Sequence, residues 1–188
     1  LDGVTGSGKT EVYFEAMAAA LASGGQVLLL LPEIALTQPF IARVERRFGS
    51  EPAQWHSDLR PRERERVWRG VADGTARIVV GARSALFLPW KRLKLIVVDE
   101  EHESAYKQDD GVPYHARDMA VLYGSIGKFP VVLSSATPSL ESLVNVDRGR
   151  YGVVRLNDRH GRPELPEIGL LDMKKAKLEP GTWISTPL

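Results

Sequence analysis

Four short apolar runs, separated by longer segments with helical spacing, constrain the fold of this sequence more than any other feature. Each run is uninterrupted rather than alternating, which is typical of strands buried on both faces of a sheet. The runs are Val27–Leu31, Ile78–Val80, Leu95–Val98 and Val131–Leu133. The intervening helical patterns are Glu11–Ala22, Ala35–Phe48, Pro61–Val71, Ala116–Ile126 and Pro138–Val146. Strands that alternate with helices predict a doubly wound α/β fold with a parallel sheet, which binds ligands at the carboxyl ends of its strands.

The composition excludes several classes of protein. With 43% hydrophobic and 26% charged residues among 188, the chain is typical of a globular protein. The net charge is +1, so contact with a nucleic acid has to come from a local patch. The absence of cysteine excludes disulfides, zinc–thiolate sites and cysteine nucleophiles. Neither a signal peptide nor an apolar run of about 18 residues is present, so we expect a soluble intracellular protein.

The distribution of residue types along the chain predicts one domain over residues 1–150 and a connector over residues 151–188, where Gly, Pro and charged residues become frequent. A glycine-rich loop normally follows a buried strand, and only Leu1 is available here for that strand. We therefore expect the first strand to be largely missing and the sequence to be a piece of a longer polypeptide.

The segment Gly3-Val4-Thr5-Gly6-Ser7-Gly8-Lys9-Thr10 fits the phosphate-loop pattern G-x-x-x-x-G-K-[ST]. Glycines allow successive backbone N–H groups to turn toward a phosphate, and the N-terminus of the following helix favours the same anion. The lysine supplies a cation for the β- and γ-phosphates, and the threonine hydroxyl is a ligand for Mg²⁺. The alternative is a glycine-rich turn that only caps a helix.

Two further clusters directly follow apolar runs. Asp99 at the end of a buried strand is suited to hold Mg²⁺ opposite Thr10, and Glu100 is suited to orient and deprotonate a water molecule. The alternative is an acidic first turn of a helix. After Val131–Leu133, the run Ser134–Pro138 predicts hydroxyl groups that hydrogen-bond toward His102, or else a helix cap.

In chain order, these segments resemble the motifs of superfamily 2 helicases. The spellings are GVTGSGKT, LLLLPEIALT, IVVGARSALFLP, VVDEEH and SSATPS. The combination of LPEIALTQ, the DEEH box and SATPSLES, within a resemblance that runs from Gly3 to Tyr151, is similar to the bacterial replication-restart helicases. The resemblance implies a RecA-like first motor lobe that binds ATP and Mg²⁺. It implies zinc only in parts of such proteins that this chain does not include.

The resemblance also assigns roles to residues outside the phosphate loop. It implies that His102, Ser135 and Thr137 couple hydrolysis to movement, and that Pro32-Glu33-Ile34 and Gly81–Ser84 face single-stranded DNA.

Aromatic and basic residues in two further segments suggest additional contacts with DNA. Arg83 and Ser84 open a turn after a strand, so backbone N–H groups and the guanidinium are placed to hold a phosphate, although Arg83 could equally be a solvated loop cation. Tyr106, Lys107, Tyr114 and Arg117 interleave aromatic and basic side chains shortly after the DEEH box. Such a loop is suited to stack on exposed bases, unless the tyrosines only pack the loop down.

The arginines of residues 60–69 alternate with glutamates, which predicts a solvated helix face with ion pairs at helical spacing. His56 and His160 have no partner pattern that indicates a metal.

The sequence thus predicts the first motor lobe of an ATP-dependent 3′→5′ DNA helicase. By resemblance, it acts on single-stranded and forked DNA at stalled replication forks, with primosome and single-strand-binding proteins as partners, in the cytoplasm and on the nucleoid. The isolated chain is expected to be inactive. The alternatives are a lobe of a translocase on duplex DNA, as in restriction-enzyme motors, and a non-catalytic module that binds nucleotide or DNA.

Overall fold

The predicted strands lie side by side in one parallel sheet in a computed structural model, which describes residues 1–159. The strands are β1 Asp2–Gly3, β2 Gln26–Leu30, β3 Ala53–Trp55, β4 Ile78–Gly81, β5 Leu93–Asp99, β6 Lys107–Gln108, β7 Tyr114–His115, β8 Val131–Ser134 and β9 Arg155–Leu156. The main sheet has the order β3-β4-β2-β5-β8, and every pair in it is parallel. This confirms the predicted α/β sheet. The edge strand β3 escaped prediction because it is short and only half-buried.

The five predicted helices are present. They are α1 Lys9–Ala22, α2 Gln38–Phe48, α3 Pro61–Asp73, α4 Ala116–Gly127 and α5 Leu140–Asp147. The start of α2 differs from the prediction, because Glu33–Ala35 form a separate 3-10 turn and Pro39 occupies the first turn of the helix. Pro is well suited to that place because a first-turn N–H has no partner within the helix.

Helices cover both faces of the sheet, as the predicted doubly wound fold requires. Successive strand residues point to opposite faces, so Leu28 and Leu30 pack with α3 and α4, whereas Val27 and Leu29 pack with α1 and α2. In α3, Val67 and Val71 are buried. Trp68 is 49% exposed, because a residue next to Val67 is rotated by about 100° around the helix.

The first residues of the chain form a small second sheet, which lies beside β8. Asp2–Gly3 pair in parallel with Arg155–Leu156, and Asp2 also forms a bridge to Ser135. The backbone nitrogen of Leu1 donates to the Leu133 carbonyl at 2.7 Å. The division at residue 150 stays a prediction, and most of the predicted connector lies outside the described residues.

The strands β6 and β7 form an antiparallel hairpin outside the main sheet, and residues 107–115 are called the hairpin below. Within residues 1–159, no helix has the length and apolarity needed to cross a bilayer.

Candidate functional site

The phosphate-loop pattern forms a tight turn that leads directly into α1. Gly8 caps the helix in the left-handed conformation, with φ 88°, which only glycine adopts at little cost. The Lys9 side chain folds back into the turn and donates from Nζ to the Gly3 carbonyl at 2.7 Å and to the Val4 carbonyl at 3.4 Å. The loop therefore holds a buried ammonium group at the start of α1.

The interior of the turn is closely packed at one end and open at the other. A Cβ atom on Gly3 would lie 2.6 Å from Ser7 Oγ and would displace that side chain, whereas one on Gly6 would meet no atom within 4 Å. Val4 and Thr5 are exposed. Ser7 Oγ is buried and has no hydrogen-bond partner among the described residues. A buried hydroxyl without a partner is costly, so this group is suited to receive one from a ligand.

Three groups fix the Asp99 carboxylate at the carboxyl end of β5. The Tyr13 hydroxyl donates to Oδ2 at 3.0 Å, and the Ser134 hydroxyl and the Glu100 N–H donate to Oδ1 at 2.8 Å and 3.1 Å. Tyr13 lies one helical turn after Thr10, so α1 ties the phosphate loop to the acidic segment. The sequence prediction missed this contact, although the spacing of three residues from Thr10 could have indicated a shared helix face.

Glu100 is held in a strained backbone conformation directly after the strand. Its φ of 47° lies in the left-handed region, which costs free energy for a residue with a Cβ and is typical of functional sites. Burial raises the pKa of its carboxyl above the ordinary value, and the neighbouring Asp99 raises that pKa further, whereas Lys9 and His102 lower it. A raised pKa makes this carboxylate a stronger base than an exposed glutamate.

His102 joins the ends of two strands. Its Nδ1 atom lies 2.7 Å from Ser135 Oγ, and the Thr137 N–H donates to the same oxygen at 2.9 Å. His102 Nδ1 also lies 3.6 Å from a Glu100 carboxylate oxygen. The structure therefore brings together the three residues that the resemblance assigns to coupling, beside the candidate base.

The residues present fit a nucleotide with Mg²⁺. Lys9 and the Ser7 hydroxyl, which has no partner within residues 1–159, supply a cation and a donor for phosphate oxygens. Thr10 and Asp99 supply hydroxyl and carboxylate oxygens, which Mg²⁺ prefers. Within residues 1–159, no cluster of three or more His, Cys, Asp or Glu residues is arranged to hold a metal. His160 lies outside the described residues.

The residues predicted to face DNA lie at the same edge of the sheet but differ in exposure. Ile34 is 90% exposed, Glu33 is also exposed, and Pro32 is buried. The Pro32 ring lies inside the protein, so Glu33 and Ile34 present the exposed side chains of this segment. Ser84 is exposed and its hydroxyl accepts a hydrogen bond from the Trp55 indole at 3.1 Å.

Arg83 contacts the chain before the hairpin rather than only solvent. Its guanidinium donates to the carbonyl oxygens of Ala105 and Lys107. On the other strand of the hairpin, Tyr114 packs edge-to-face against the half-exposed ring of Phe87, with ring centroids 5.1 Å apart. Arg83 and Phe87 belong to one 3-10 helix, which therefore supports both strands of the hairpin.

Two residues predicted to contact DNA are buried. Tyr106 is 1% exposed, and its hydroxyl lies 2.6 Å from the Asp99 carbonyl oxygen and 3.1 Å from that of Leu30. The Arg117 side chain is 7% exposed and pairs with Glu101 and Asp118. Neither side chain is available to a base or a phosphate, which corrects both assignments. The physical reason is that both polar groups find partners inside the protein.

The helix α3 carries an exposed ion pair at helical spacing, as predicted for residues 60–69. Arg69 pairs with Glu65 at 2.6 Å, one turn earlier, and both side chains are exposed. Arg64 instead places its guanidinium over the Trp55 ring, 5.3 Å from the centroid.

Comparison with known proteins places this geometry in a family. Residues 1–146 match the DEAD/DEAH box helicases. The chain belongs to the DEAD/DEAH box helicase family. Among solved structures, RecG bound to a three-way DNA junction matches with a TM-score of 0.61 at 23% identity. The match covers 88% of this chain and 21% of the RecG chain. The Hef helicase domain of Pyrococcus furiosus matches with a TM-score of 0.55 at 22% identity. The match covers 84% of this chain and 34% of the Hef chain. Both share the fold of this helicase lobe.

The curated relatives of this DEAD/DEAH box helicase include replication restart proteins. Replication restart protein PriA of Rickettsia felis is 47% identical over 185 residues, which are 98% of this chain and 28% of that protein. PriA of Bacillus subtilis is 44% identical over 175 residues, which are 93% of this chain and 22% of that protein. The chain spans about a quarter of the length of these relatives. The predicted similarity to replication-restart helicases is confirmed.

Proposed function

We propose that this chain is the first motor lobe of an ATP-dependent 3′→5′ DNA helicase that acts in replication restart and primosome assembly at stalled forks. One observation carries the proposal: the phosphate loop and the Asp99–Glu100 pair meet through Tyr13, and the segment that follows the pair bonds to Ser135 through His102. A loop that only capped a helix would require no ordered acidic pair beside it.

The phosphate loop binds the nucleotide in this proposal. The Lys9 ammonium neutralises charge on the β- and γ-phosphates, and the N–H groups at the start of α1, with the Ser7 hydroxyl, donate to phosphate oxygens. Thr10 and Asp99 would hold Mg²⁺, which would offset the negative charge that develops on the phosphates. Tyr13 and Ser134 keep the Asp99 carboxylate in place.

Glu100 is the general base. Hydrolysis breaks the bond between the γ-phosphorus and the β–γ bridging oxygen, while the water oxygen bonds to phosphorus and the water proton passes to the Glu100 carboxylate. The strained backbone aims this side chain, and its raised pKa favours acceptance of the proton. The Nδ1 atom of His102 lies 3.6 Å from the Glu100 carboxylate, so protonation of Glu100 changes the charge beside His102. This change alters the hydrogen bond between His102 and Ser135.

The DNA surface consists of exposed residues at the carboxyl edge of the sheet. We assign it to Glu33, Ile34, Ser84, Lys107 and Tyr114, which are exposed or half-exposed. Arg83 contributes by supporting the hairpin through two carbonyl oxygens and retains further N–H groups for a phosphate. The similarity to replication restart proteins supports a role at DNA. Within this proposal, the substrate is single-stranded and forked DNA, the partners are primosome and single-strand-binding proteins, and the protein acts in the cytoplasm on the nucleoid.

The decisive experiment measures ATP hydrolysis and strand separation by the full-length protein that contains this chain. We expect single-stranded DNA to stimulate hydrolysis, and a duplex with a 3′ single-stranded tail to be unwound. Stimulation by duplex DNA alone would favour a duplex translocase. Nucleotide binding without hydrolysis, with and without DNA, would favour a non-catalytic module.

A further inference from the structure

Two ion pairs of the same kind join the exposed sides of α1 and α2, and the proposed reaction uses neither of them. Arg43 Nη2 lies 2.6 Å from Glu11 Oε1. Arg47 Nη2 lies 2.7 Å from Glu15 Oε1. The corresponding residues of each helix are four positions apart, so the second pair repeats the first about one helical turn further along. Because Glu11 directly follows Thr10, the first pair lies beside the phosphate loop and the second lies one turn away from it.

The Glu11–Arg43 pair lies on the side of α1 that faces away from the acidic segment. Tyr13, on the opposite side of the helix, contacts the Asp99 carboxylate. Each residue of a helix is rotated by about 100° from the one before it, so the side chains of Glu11 and Tyr13 point in nearly opposite directions. In the proposed function, the γ-phosphate lies on the side of the loop that Asp99 and Glu100 occupy. The nucleoside, at the other end of the phosphate chain, is therefore expected on the side of Glu11 and Arg43.

Arg43 presents a planar group at this place. Its guanidinium carbon lies 5.8 Å from the centroid of the Phe14 ring, and that ring is completely buried. One edge of the guanidinium is held by the Glu11 carboxylate, which accepts a hydrogen bond from Nη2 at 2.6 Å. The Arg43 side chain is nevertheless 45% exposed, so it remains accessible to a ligand. A guanidinium stacks on aromatic rings through its faces, and this one is fixed on one face and at one edge.

The charge of the Glu11 carboxylate favours contact of Arg43 with a base over contact with a phosphate. A carboxylate in the first turn of α1 repels an anion that is bound in the loop. The Arg43 guanidinium offsets this repulsion, and its own positive charge is compensated in return. The surface of the pair is therefore close to neutral, which suits the uncharged ring of a base.

We propose that Arg43 is a nucleotide-binding residue whose exposed guanidinium face stacks on the base, and that Glu11 is the positioning residue that holds the guanidinium in place. This rests on the proposed function. Every base has a ring face, so the contact adds affinity for the nucleoside without selecting one base. The Glu15–Arg47 pair has the same chemistry but lies one turn further from the loop, so it takes no part in nucleotide binding.

The test measures the binding of ADP and of inorganic pyrophosphate, each with Mg²⁺, to the full-length protein by titration calorimetry. Pyrophosphate has two linked phosphates, as ADP does, but lacks the nucleoside, so the ratio of the pyrophosphate Kd to the ADP Kd reports contacts with the nucleoside. In Arg43→Met, we expect this ratio to fall by about three- to fivefold, which corresponds to the usual contribution of such a contact. The Kd of pyrophosphate itself stays within about twofold of the wild-type value.

Glu11→Gln tests the positioning residue. It releases the edge of the guanidinium, so the ratio falls in the same direction, whereas the loss of a negative charge beside the loop acts on the phosphates of both ligands alike. The matched control is Arg47→Met, which removes an ion pair between the same two helices and a contact of the guanidinium with the Phe48 ring, 5.5 Å away. Its ratio stays at the wild-type value. All three changes affect exposed side chains, and thermal unfolding verifies that the variants fold.

Equal weakening of ADP and pyrophosphate binding in Arg43→Met overturns the proposal, because Arg43 would then act on the phosphates. Unchanged binding of both ligands also overturns it. An equal fall of the ratio in Arg47→Met overturns it as well, since the loss would then come from the pairing of the two helices. Absence of ADP and pyrophosphate binding by the wild-type protein overturns the proposed function itself.

Discussion

The Nδ1 atom of His102 lies 2.7 Å from the Oγ atom of Ser135, across the carboxyl ends of two adjacent strands. The two residues are 33 positions apart in the chain, and Ser135 Oγ also accepts from the Thr137 N–H. This bond joins the segment that carries the candidate base to the segment that leads into α5.

Breaking that bond separates hydrolysis from movement. In the full-length protein, we expect His102→Ala and Ser135→Ala to retain nucleotide binding and to lower strand separation per ATP hydrolysed by about fivefold or more. Parallel assays of hydrolysis and unwinding measure this ratio. The double variant resembles each single one, because either change removes the same bond. Additive losses would show that the two residues act separately.

Lys9→Ala removes the ammonium group from the phosphate loop. We expect most ATP hydrolysis to be lost, because the charge on the phosphates is no longer neutralised. The matched control is Lys91→Ala, since Lys91 Nζ also donates to a backbone carbonyl, that of Asp73 at 3.0 Å, but on the surface and outside the loop. An ATPase assay with circular dichroism checks both variants. Full activity of Lys9→Ala contradicts the assignment of the loop.

Glu100→Gln keeps the shape of the side chain but removes its capacity to accept a proton. Turnover is expected to fall by about 10²–10⁴-fold, the usual contribution of a general base, while ATP affinity changes little. Glu103→Gln, three residues later and near the same histidine, serves as the control and keeps turnover. Single-turnover kinetics and nucleotide titration separate the two effects. A collapse of nucleotide binding would identify Glu100 as a structural or metal-binding residue.

The two tyrosines of the hairpin region have different roles and different expected effects. Tyr106→Phe leaves the carbonyl oxygens of Asp99 and Leu30 without this donor, so the free energy of unfolding falls by about 1–3 kcal/mol. Denaturant unfolding of the protein measures the loss. Tyr123→Phe, which alters a half-buried tyrosine on α4, is the control.

Tyr114→Ala removes a half-exposed ring and its contact with Phe87. We expect stimulation of hydrolysis by single-stranded DNA to weaken more than basal hydrolysis, since stacking contributes about 1–3 kcal/mol per base. Rates with and without oligothymidylate check this. An equal loss of both rates would indicate that the hairpin misfolds.

The isolated 188-residue chain is expected to show negligible ATP turnover even with saturating single-stranded DNA. The residues described here act on the nucleotide from the phosphate-loop side, and an arginine from across the cleft contributes about 10³–10⁵ in rate. A steady-state ATPase assay on the purified chain tests the expectation. Turnover of about 1–10³ s⁻¹ would show that this lobe suffices.

Local sequence determined the fold class and the identity of the central site residues. An uninterrupted run such as Leu95–Val98 has to be buried on both faces, and the polar residue that follows it, Asp99, then lies at the carboxyl edge of the sheet. The phosphate loop is local as well, since Gly8 and Lys9 act within one turn. These features depend on neighbours in the chain, so their spacing is visible in the sequence.

Only the tertiary structure decided which polar side chains are available to a ligand. Tyr106 and Arg117 are residue types that are typical of a DNA-binding loop, yet both side chains are buried. The Tyr106 hydroxyl donates to the carbonyl oxygen of Asp99, and the Arg117 guanidinium donates to the carboxylate of Glu101. Burial and pairing depend on contacts between segments that are distant in sequence. The sequence shows which side chains are hydrogen-bond donors, but tertiary packing determines which acceptor each donor contacts.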